Sequence, residues 1–259
     1  RASTPASVFF SLLASSTGVS VDATSKKESN MSQHRSRRAI LILEAPWELD
    51  PDDANRTSVL PFIQGIAKLT NDTEVHYANF YEENSFEIAL HHLCKGEFDS
   101  RIVYVAAHGY LSEVQEVDIY SVLSLIAEKS KKYKITGVML GTCFIGEYAM
   151  SMEMCLQESD LRWCAGYTSA TGWLEATLVD CAILARMSRL NDEVFHNRDD
   201  VVNQLAESMR LFSPDYDIGI DYDEEPVRLA DSMSFVVQPK GRGNRAKQVT
   251  QEVWMALEQ

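Results

Sequence analysis

Two residues stand out for the chemistry they could do together. His108 closes the apolar run "VYVAAHGY" (103–110), and Cys143 closes "GVMLGTCFIG" (137–146). Each run is apolar, ends abruptly in a reactive side chain and is trailed by glycine, Gly109 and Gly146. A cysteine is a useful nucleophile as its thiolate, and a neighbouring imidazole can promote that state and later protonate a leaving amine. Backbone N–H groups near Gly109 and around Cys143 could bind the oxyanion of an acyl-transfer intermediate, and Gly109, lacking a Cβ, lets a substrate approach closely. Nucleophile, acid/base and oxyanion donors make up the minimum set for cleaving a peptide bond. Each residue alone has a plainer reading, since a buried cysteine usually behaves as a small hydrophobe and a strand-end histidine is often structural. It is their joint placement that gives them weight.

The elements around them supply that placement. Short apolar runs at 39–45, 74–80, 101–107, 135–142, 162–169 and 232–239 read as strands. Between them lie segments of helical period: one opening at Thr57 or Ser58 with Pro61 in its first turn, then about 84–95, 115–132, 147–158, 173–190 and 199–212. Continuous apolar strands alternating with amphipathic helices predict an α/β fold whose mostly parallel sheet, of about six strands, is covered by helices on both faces. In such sheets the working crevice lies outside the carboxyl ends of the strands. His108 and Cys143 each follow a carboxyl end, in consecutive strand–helix units, so both should face one crevice.

Composition narrows the classes. With 259 residues and 45% hydrophobic content the chain can bury a sizeable core. No apolar run approaches the ~20 residues that span a bilayer, and "VFFSLLA" (8–14) lacks the flanks of a signal peptide, so no membrane is expected. Five cysteines, odd in number and without a CxxC, indicate a reduced, cytoplasmic protein. The net charge of −14 is uneven, +4 in residues 1–38 and +1 in 241–259, which leaves −19 between them. So acidic a body repels phosphate backbones and favours basic partners, which argues against nucleic acid. "HHLC" (91–94) lacks zinc spacing and "DYDIGIDYDEE" (215–225) fails the calcium-loop frame, leaving a solvated acidic loop that a basic partner could dock on. No phosphate-cradling glycine loop occurs, so neither metal nor cofactor is called for. Cys155, Cys164 and Cys181 sit in apolar periodic segments and read as core.

An apolar strand ending in His-Gly, a helix, then an apolar strand ending in Cys-x-x-Gly resembles the caspase-like cysteine peptidases, and most closely their CHAT branch, related to separase. The matching pieces are "RIVYVAAHGY" (101–110), "ITGVMLGTCFIGEYA" (135–149) and "WCAGYTSATGWLEATLVDCAILARMSRL" (163–190). The resemblance implies a caspase-like three-layer sandwich over residues 39–240; residues 1–38, rich in Ser, Thr, Ala and Lys and without a sustained period, read as a disordered or linker arm, and 241–259 is left as a C-terminal tail that can be helical. It implies His108 as general acid/base, Cys143 as nucleophile and Gly109 beside the oxyanion site. Caspases carry Gln-Ala-Cys at the nucleophile, whereas this chain has Gly141-Thr142-Cys143. Many metacaspase-type and separase-type relatives place an aspartate two residues before the cysteine to read a basic P1 side chain; here that position is Gly141.

Cleavage after Lys or Arg therefore needs its acid from elsewhere. The loop after the first strand offers Glu44, Glu48, Asp50, Asp52 and Asp53, of which Glu44, Asp52 and Asp53 are the substrate-binding candidates. For most of this loop the simpler reading is a solvated acidic one. Trp173 could wall an apolar pocket or simply pack in the core. The sequence thus leads to an intracellular cysteine endopeptidase acting on protein or peptide, kept latent until a regulatory partner or ligand triggers it. The alternative is a catalytically inactive caspase-like module that recruits a basic protein. A flavodoxin-like small-molecule binder would need phosphate-cradling loops where "EAPWELDPDD" offers acid.

Overall fold

Successive side chains of a strand point to opposite faces, and in the first strand both faces are covered. In β1 (Arg38–Glu44) Ala39, Leu41 and Leu43 pack into one hydrophobic cluster, while Ile40 and Ile42 pack into another. A strand buried on both sides has no polar face, which is why "AILILEA" lacks alternation. The computed structural model describes residues 37–47, 57–70, 72–157 and 159–258. Within it β1 is followed by β2 (Thr73–Asn79), β3 (Ser100–Ala106), β4 (Ile135–Gly141), β5 (Trp163–Tyr167), β6 (Met233–Val237) and β7 (Lys247–Gln248). These form one seven-stranded sheet of order β7-β6-β5-β4-β3-β1-β2. The β2-β1-β3-β4-β5 block is parallel, β6 adds to it antiparallel, and β7 pairs antiparallel with β6.

Helices cover both faces. α2 (Glu83–Leu93), α3 (Ile119–Tyr133) and α4 (Ala149–Gln157) bury Phe86, Leu90, Val122, Ile126, Met152 and Leu156 against one side. On the other, α1 (Leu60–Thr70), α5 (Trp173–Met187), α6 (Arg198–Met209) and α7 (Thr250–Leu257) contribute Ile63, Val179, Ile183, Leu205 and Val253. The result is a three-layer α/β sandwich with a largely parallel centre, with one strand more than the periodicity predicts.

Several helix starts have a local cause. Glu82 caps α2 by accepting from the N–H groups of Asn84 and Ser85, and Ser85 answers through the Glu82 backbone, a reciprocal capping box. The helix expected from about residue 115 begins at Ile119 instead, because Asp118 accepts from the N–H of Tyr120 at 2.9 Å and caps it there. The residues before it form a small antiparallel sheet of Gly109–Tyr110, Glu113–Val114 and Val117–Asp118. That sheet hangs directly on His108.

The stretch 241–259, whose composition sets it apart as a tail, is part of the domain. Lys247–Gln248 pairs with Val236–Val237, and Val249 and Val253 are buried in the same cluster as α5 and α6. The sequence misleads here because two valines in a charged segment carry little periodic signal. The strand also opens at Arg38 and not Ala39, its guanidinium meeting Asp72 at 2.7 Å. The rest of the expected arm, residues 1–36, lies outside the described residues. Removing everything after Lys240 should lower the unfolding free energy by at least ~2 kcal/mol, the scale of burying one or two aliphatic side chains. Chemical denaturation checks this, and an unchanged midpoint would make the segment a tail after all.

Candidate functional site

β3 and β4 pair in register, with Ala106 opposite Gly141. Two residues further along each chain stand His108 and Cys143. Gly109 then lies hard against the cysteine: a Cβ on it would fall 2.1 Å from the Cys143 carbonyl oxygen and 2.9 Å from its nitrogen. Only a residue without a side chain allows that approach. After Cys143 the chain turns at once, with Phe144 at a φ of 62°, its N–H donating to the Ser169 carbonyl at 3.2 Å. The Phe144 ring stacks on Tyr222, centroids 4.0 Å apart. A left-handed phenylalanine is costly, and this one is held by packing on both sides of the turn.

The imidazole is oriented by a carbonyl. His108 Nε2 lies 2.8 Å from the Trp47 oxygen, and the Trp47 and His108 rings meet edge to face at 4.8 Å. A carbonyl only accepts, so Nε2 donates, and the neutral ring keeps its lone pair on Nδ1. The Cys143 Sγ receives the Thr171 N–H at 3.4 Å and has the Thr171 Oγ1 at 3.9 Å. Thr171 is held by a second small sheet, in which Ala170–Thr171 pairs antiparallel with Asp217–Ile220. The acidic segment that reads in sequence as a solvated loop is therefore partly strand, and it braces the cysteine's neighbour. Among the hydrogen bonds of the described residues, none joins His108 directly to Cys143.

Both side chains open onto one cavity of about 140 Å³, which Trp47, Tyr104, Trp173 and Asp180 also line. Asp180, midway along α5, is 1% exposed. Its Oδ2 accepts from the Tyr104 hydroxyl at 2.6 Å and its Oδ1 from the Tyr167 hydroxyl at 2.7 Å. Burial pushes its carboxyl up to about 7, against the pull of the two hydroxyls. The same burial, reinforced by the carboxylate, holds both tyrosines well above their ordinary range, so they remain donors. Gly141 makes room for this group: a Cβ there would fall 2.6 Å from Asp180 Oδ2 and 2.7 Å from the Tyr104 ring.

The other residues singled out from sequence are distributed differently. Trp173 lines the cavity, its ring edge-on to Phe62 at 5.7 Å. Glu44 does not line it. Its carboxylate accepts from Ser58 Oγ at 2.7 Å, the Val59 N–H at 2.8 Å and Trp47 Nε1 at 3.4 Å, tying the entry of α1 to the end of β1. Lying outside the cavity and holding these donors, the carboxylate positions the loop. Asp52 and Asp53, with Glu48 and Asp50, lie outside the described residues. Three residues of the site escape sequence reasoning: Trp47, Thr171 and Asp180. For Asp180 a signal exists, because it shares a helix stripe with Ala176 four residues before and Ile183 and Leu184 three and four after, all core positions. An ionisable residue on a buried stripe needs a partner or a purpose.

Among the described residues no group of three or more His, Cys, Asp or Glu could hold a metal ion, and no helix is long and apolar enough to cross a membrane. Neither a protein-family model nor a curated protein matches the chain. Among solved structures it is similar to a secreted C11 cysteine protease from Bacteroides thetaiotaomicron, "iotapain", with 9% identity and a TM-score of 0.46 over 79% of this chain and 67% of that one.

Asp180 has a consequence for stability that can be measured. Its carboxyl is raised from 3.8 to about 7 on folding, so between those values the folded protein holds a proton that the unfolded chain has lost. The contribution of this group is complete below about pH 4 and declines as the pH rises towards 7. Asp180→Asn cannot ionise and lacks that decline. The unfolding free energy of wild type relative to the variant should therefore fall across this window in chemical denaturation. A difference that does not vary with pH would mean that Asp180 is ionised throughout.

Proposed function

We propose that the chain is a caspase-like cysteine endopeptidase in which Cys143 is the nucleophile and His108 the general acid/base. The observation that carries this reading is the shared cavity: thiol and imidazole reach it from the ends of adjacent parallel strands, and the imidazole's far nitrogen is committed to the Trp47 carbonyl. With Nε2 donating to that carbonyl, Nδ1 takes the thiol proton. The Thr171 N–H, 3.4 Å from Sγ, helps to hold the sulfur in place. The thiolate attacks the scissile carbonyl carbon, and backbone N–H groups at Gly109 and Cys143 receive the oxyanion. His108 hands its proton to the leaving amine as the C–N bond breaks, leaving a thioester. Water then adds to the thioester, giving a proton to His108, and the thiolate departs.

The placement in the CHAT branch rests on the sequence motifs, and the assignment to the cytoplasm rests on cysteine usage. Latency has its own support, because no hydrogen bond joins the imidazole to Cys143 among those of the described residues, so the two must close up before Nδ1 takes the proton. A regulatory protein or ligand acting on the loop that carries Trp47 would supply the trigger. The same missing hydrogen bond favours the second reading, an inactive module that recruits a basic protein through its acidic surface.

Peptidyl acyloxymethyl ketones with Lys, Arg, Leu or Asp at P1, combined with mass spectrometry of the folded protein with and without cell extract, separate the two. Modification confined to Cys143 and reduced at least ~100-fold in His108→Ala is expected, the usual scale of general acid–base catalysis. Gly109→Ala should be comparably impaired, since its methyl group collides with the Cys143 peptide. Silence towards every probe, with and without extract, would leave the binding module standing.

A further inference from the structure

We infer that Asp180 is the residue that reads the P1 side chain, and that the cavity it closes takes the basic side chain of lysine or arginine. The inference rests on the peptidase reading above, since P1 has meaning only if Cys143 attacks the bond after it. Asp180 lines the same cavity as Cys143 and His108 and is reached from the nucleophile past Gly141. Gly141 and Asp180 are spatially exclusive of any side chain between them, because a Cβ at 141 would lie 2.6 Å from Asp180 Oδ2. The strand position two residues before the nucleophile is thus empty, and a carboxylate from α5 fills the space it leaves.

The size and chemistry of the cavity fit a cation on an aliphatic stem. At about 140 Å³ it is close to the cavity size that admits a benzene-sized group, roughly the bulk of an arginine side chain beyond its Cβ. Val59, Ala176 and the indoles of Trp47 and Trp173 offer apolar contact along the way. Each Asp180 oxygen accepts one tyrosine hydroxyl, and a carboxylate has about four acceptor directions in all, so capacity remains for an incoming N–H. Among the described residues, no other that lines the cavity is an acid. A buried ammonium or guanidinium without a counter-charge is strongly disfavoured, and Asp180 is the group that can provide one. The tyrosines fix the carboxylate, so a basic side chain meets an acceptor already oriented.

Second-order rates of Cys143 modification by otherwise identical Lys, Arg, Leu and Asp acyloxymethyl ketones test this. In wild type, Lys and Arg should exceed Leu. In Asp180→Asn the Lys-to-Leu and Arg-to-Leu rate ratios should fall roughly 30-fold or more, the scale of removing one partner of a buried charge pair. A cooperative chemical-denaturation transition shows that the variant is folded. The second measurement needs no variant. The groups facing Asp180 are Tyr104, Tyr167 and Cys181, with His108 and Cys143 across the cavity. His108 and Cys143 act on every probe alike and cancel in a ratio, and the tyrosines and Cys181 titrate far higher. The Lys-to-Leu rate ratio should therefore rise with pH as Asp180 ionises, around 7. Modification of Cys143 by Leu or Asp probes in preference to Lys and Arg would overturn this assignment and leave the peptidase intact. So would a basic preference that survives Asp180→Asn or does not vary with pH. Silence of Cys143 towards all four probes would overturn both.

Discussion

The site depends on one hydrogen-bonded ladder, the parallel pairing of Ser100–Ala106 with Ile135–Gly141. Parallel neighbours need a crossover, and α3 supplies it; after a one-residue register shift between Arg101 and Ile102 the two strands run level to Ala106 and Gly141. A slip of one residue would turn every side chain to the wrong face and separate His108 from Cys143. What resists a slip is burial on both sides: Val103 and Val105 belong to one cluster, Ile102 and Tyr104 to the other. The neighbouring pair extends the same logic. Glu44 of β1 stands opposite Ala106 of β3, and the Ala45 N–H donates to the Ala106 carbonyl at 2.9 Å. Three strand ends are therefore level, and the residues just beyond them are Trp47, His108 and Cys143. Glu44, a substrate-contact candidate by sequence, in fact anchors this arrangement by holding the turn that carries Trp47.

Beneath the strand ends lies a buried polar trio drawn from three elements. Tyr104 comes from β3, Tyr167 from β5 and Asp180 from α5, and all three face the same side of the sheet. Burying a carboxyl is expensive in isolation. Here each oxygen has a hydroxyl donor at short range, and the residual cost appears as the raised proton affinity of the acid. The trio also ties α5 to the sheet next to the cavity, so the helix that brings Trp173 and Asp180 to the site cannot shift without breaking both hydrogen bonds. The two hydrogen bonds set the position of Asp180, and burial sets its charge state against their pull.

Periodicity decides how much of this is legible in the sequence. The long elements are, because doubly buried strands and amphipathic helices impose continuous and 3.6-residue patterns over many positions. The convergence of His108 and Cys143 on one crevice is legible too, since it needs only the direction of parallel strands. The short pieces are not. Ala170–Thr171 and Asp217–Ile220 are too short to show a period, and the second lies in a segment whose acidic composition reads as loop. Asp180 is hidden for the opposite reason: it sits in a helix so regular that one anomalous residue barely disturbs the pattern. Glu44 misleads because an acid at a strand end looks the same in sequence whether it faces solvent, a substrate or three donors.

Asp180 shares its cavity with the proposed nucleophile, so its charge matters to what can enter. An acid whose carboxyl sits near 7 is largely neutral below that pH while the cavity is empty. On the proposed reading, a basic side chain entering the cavity favours the ionised acid, and the new pair is close to neutral overall. The charge beside the nucleophile would then appear only together with its counter-charge. Burial behind two tyrosines is thus what links the charge of the pocket to its occupancy, and glycine at 141 is what leaves the space for it.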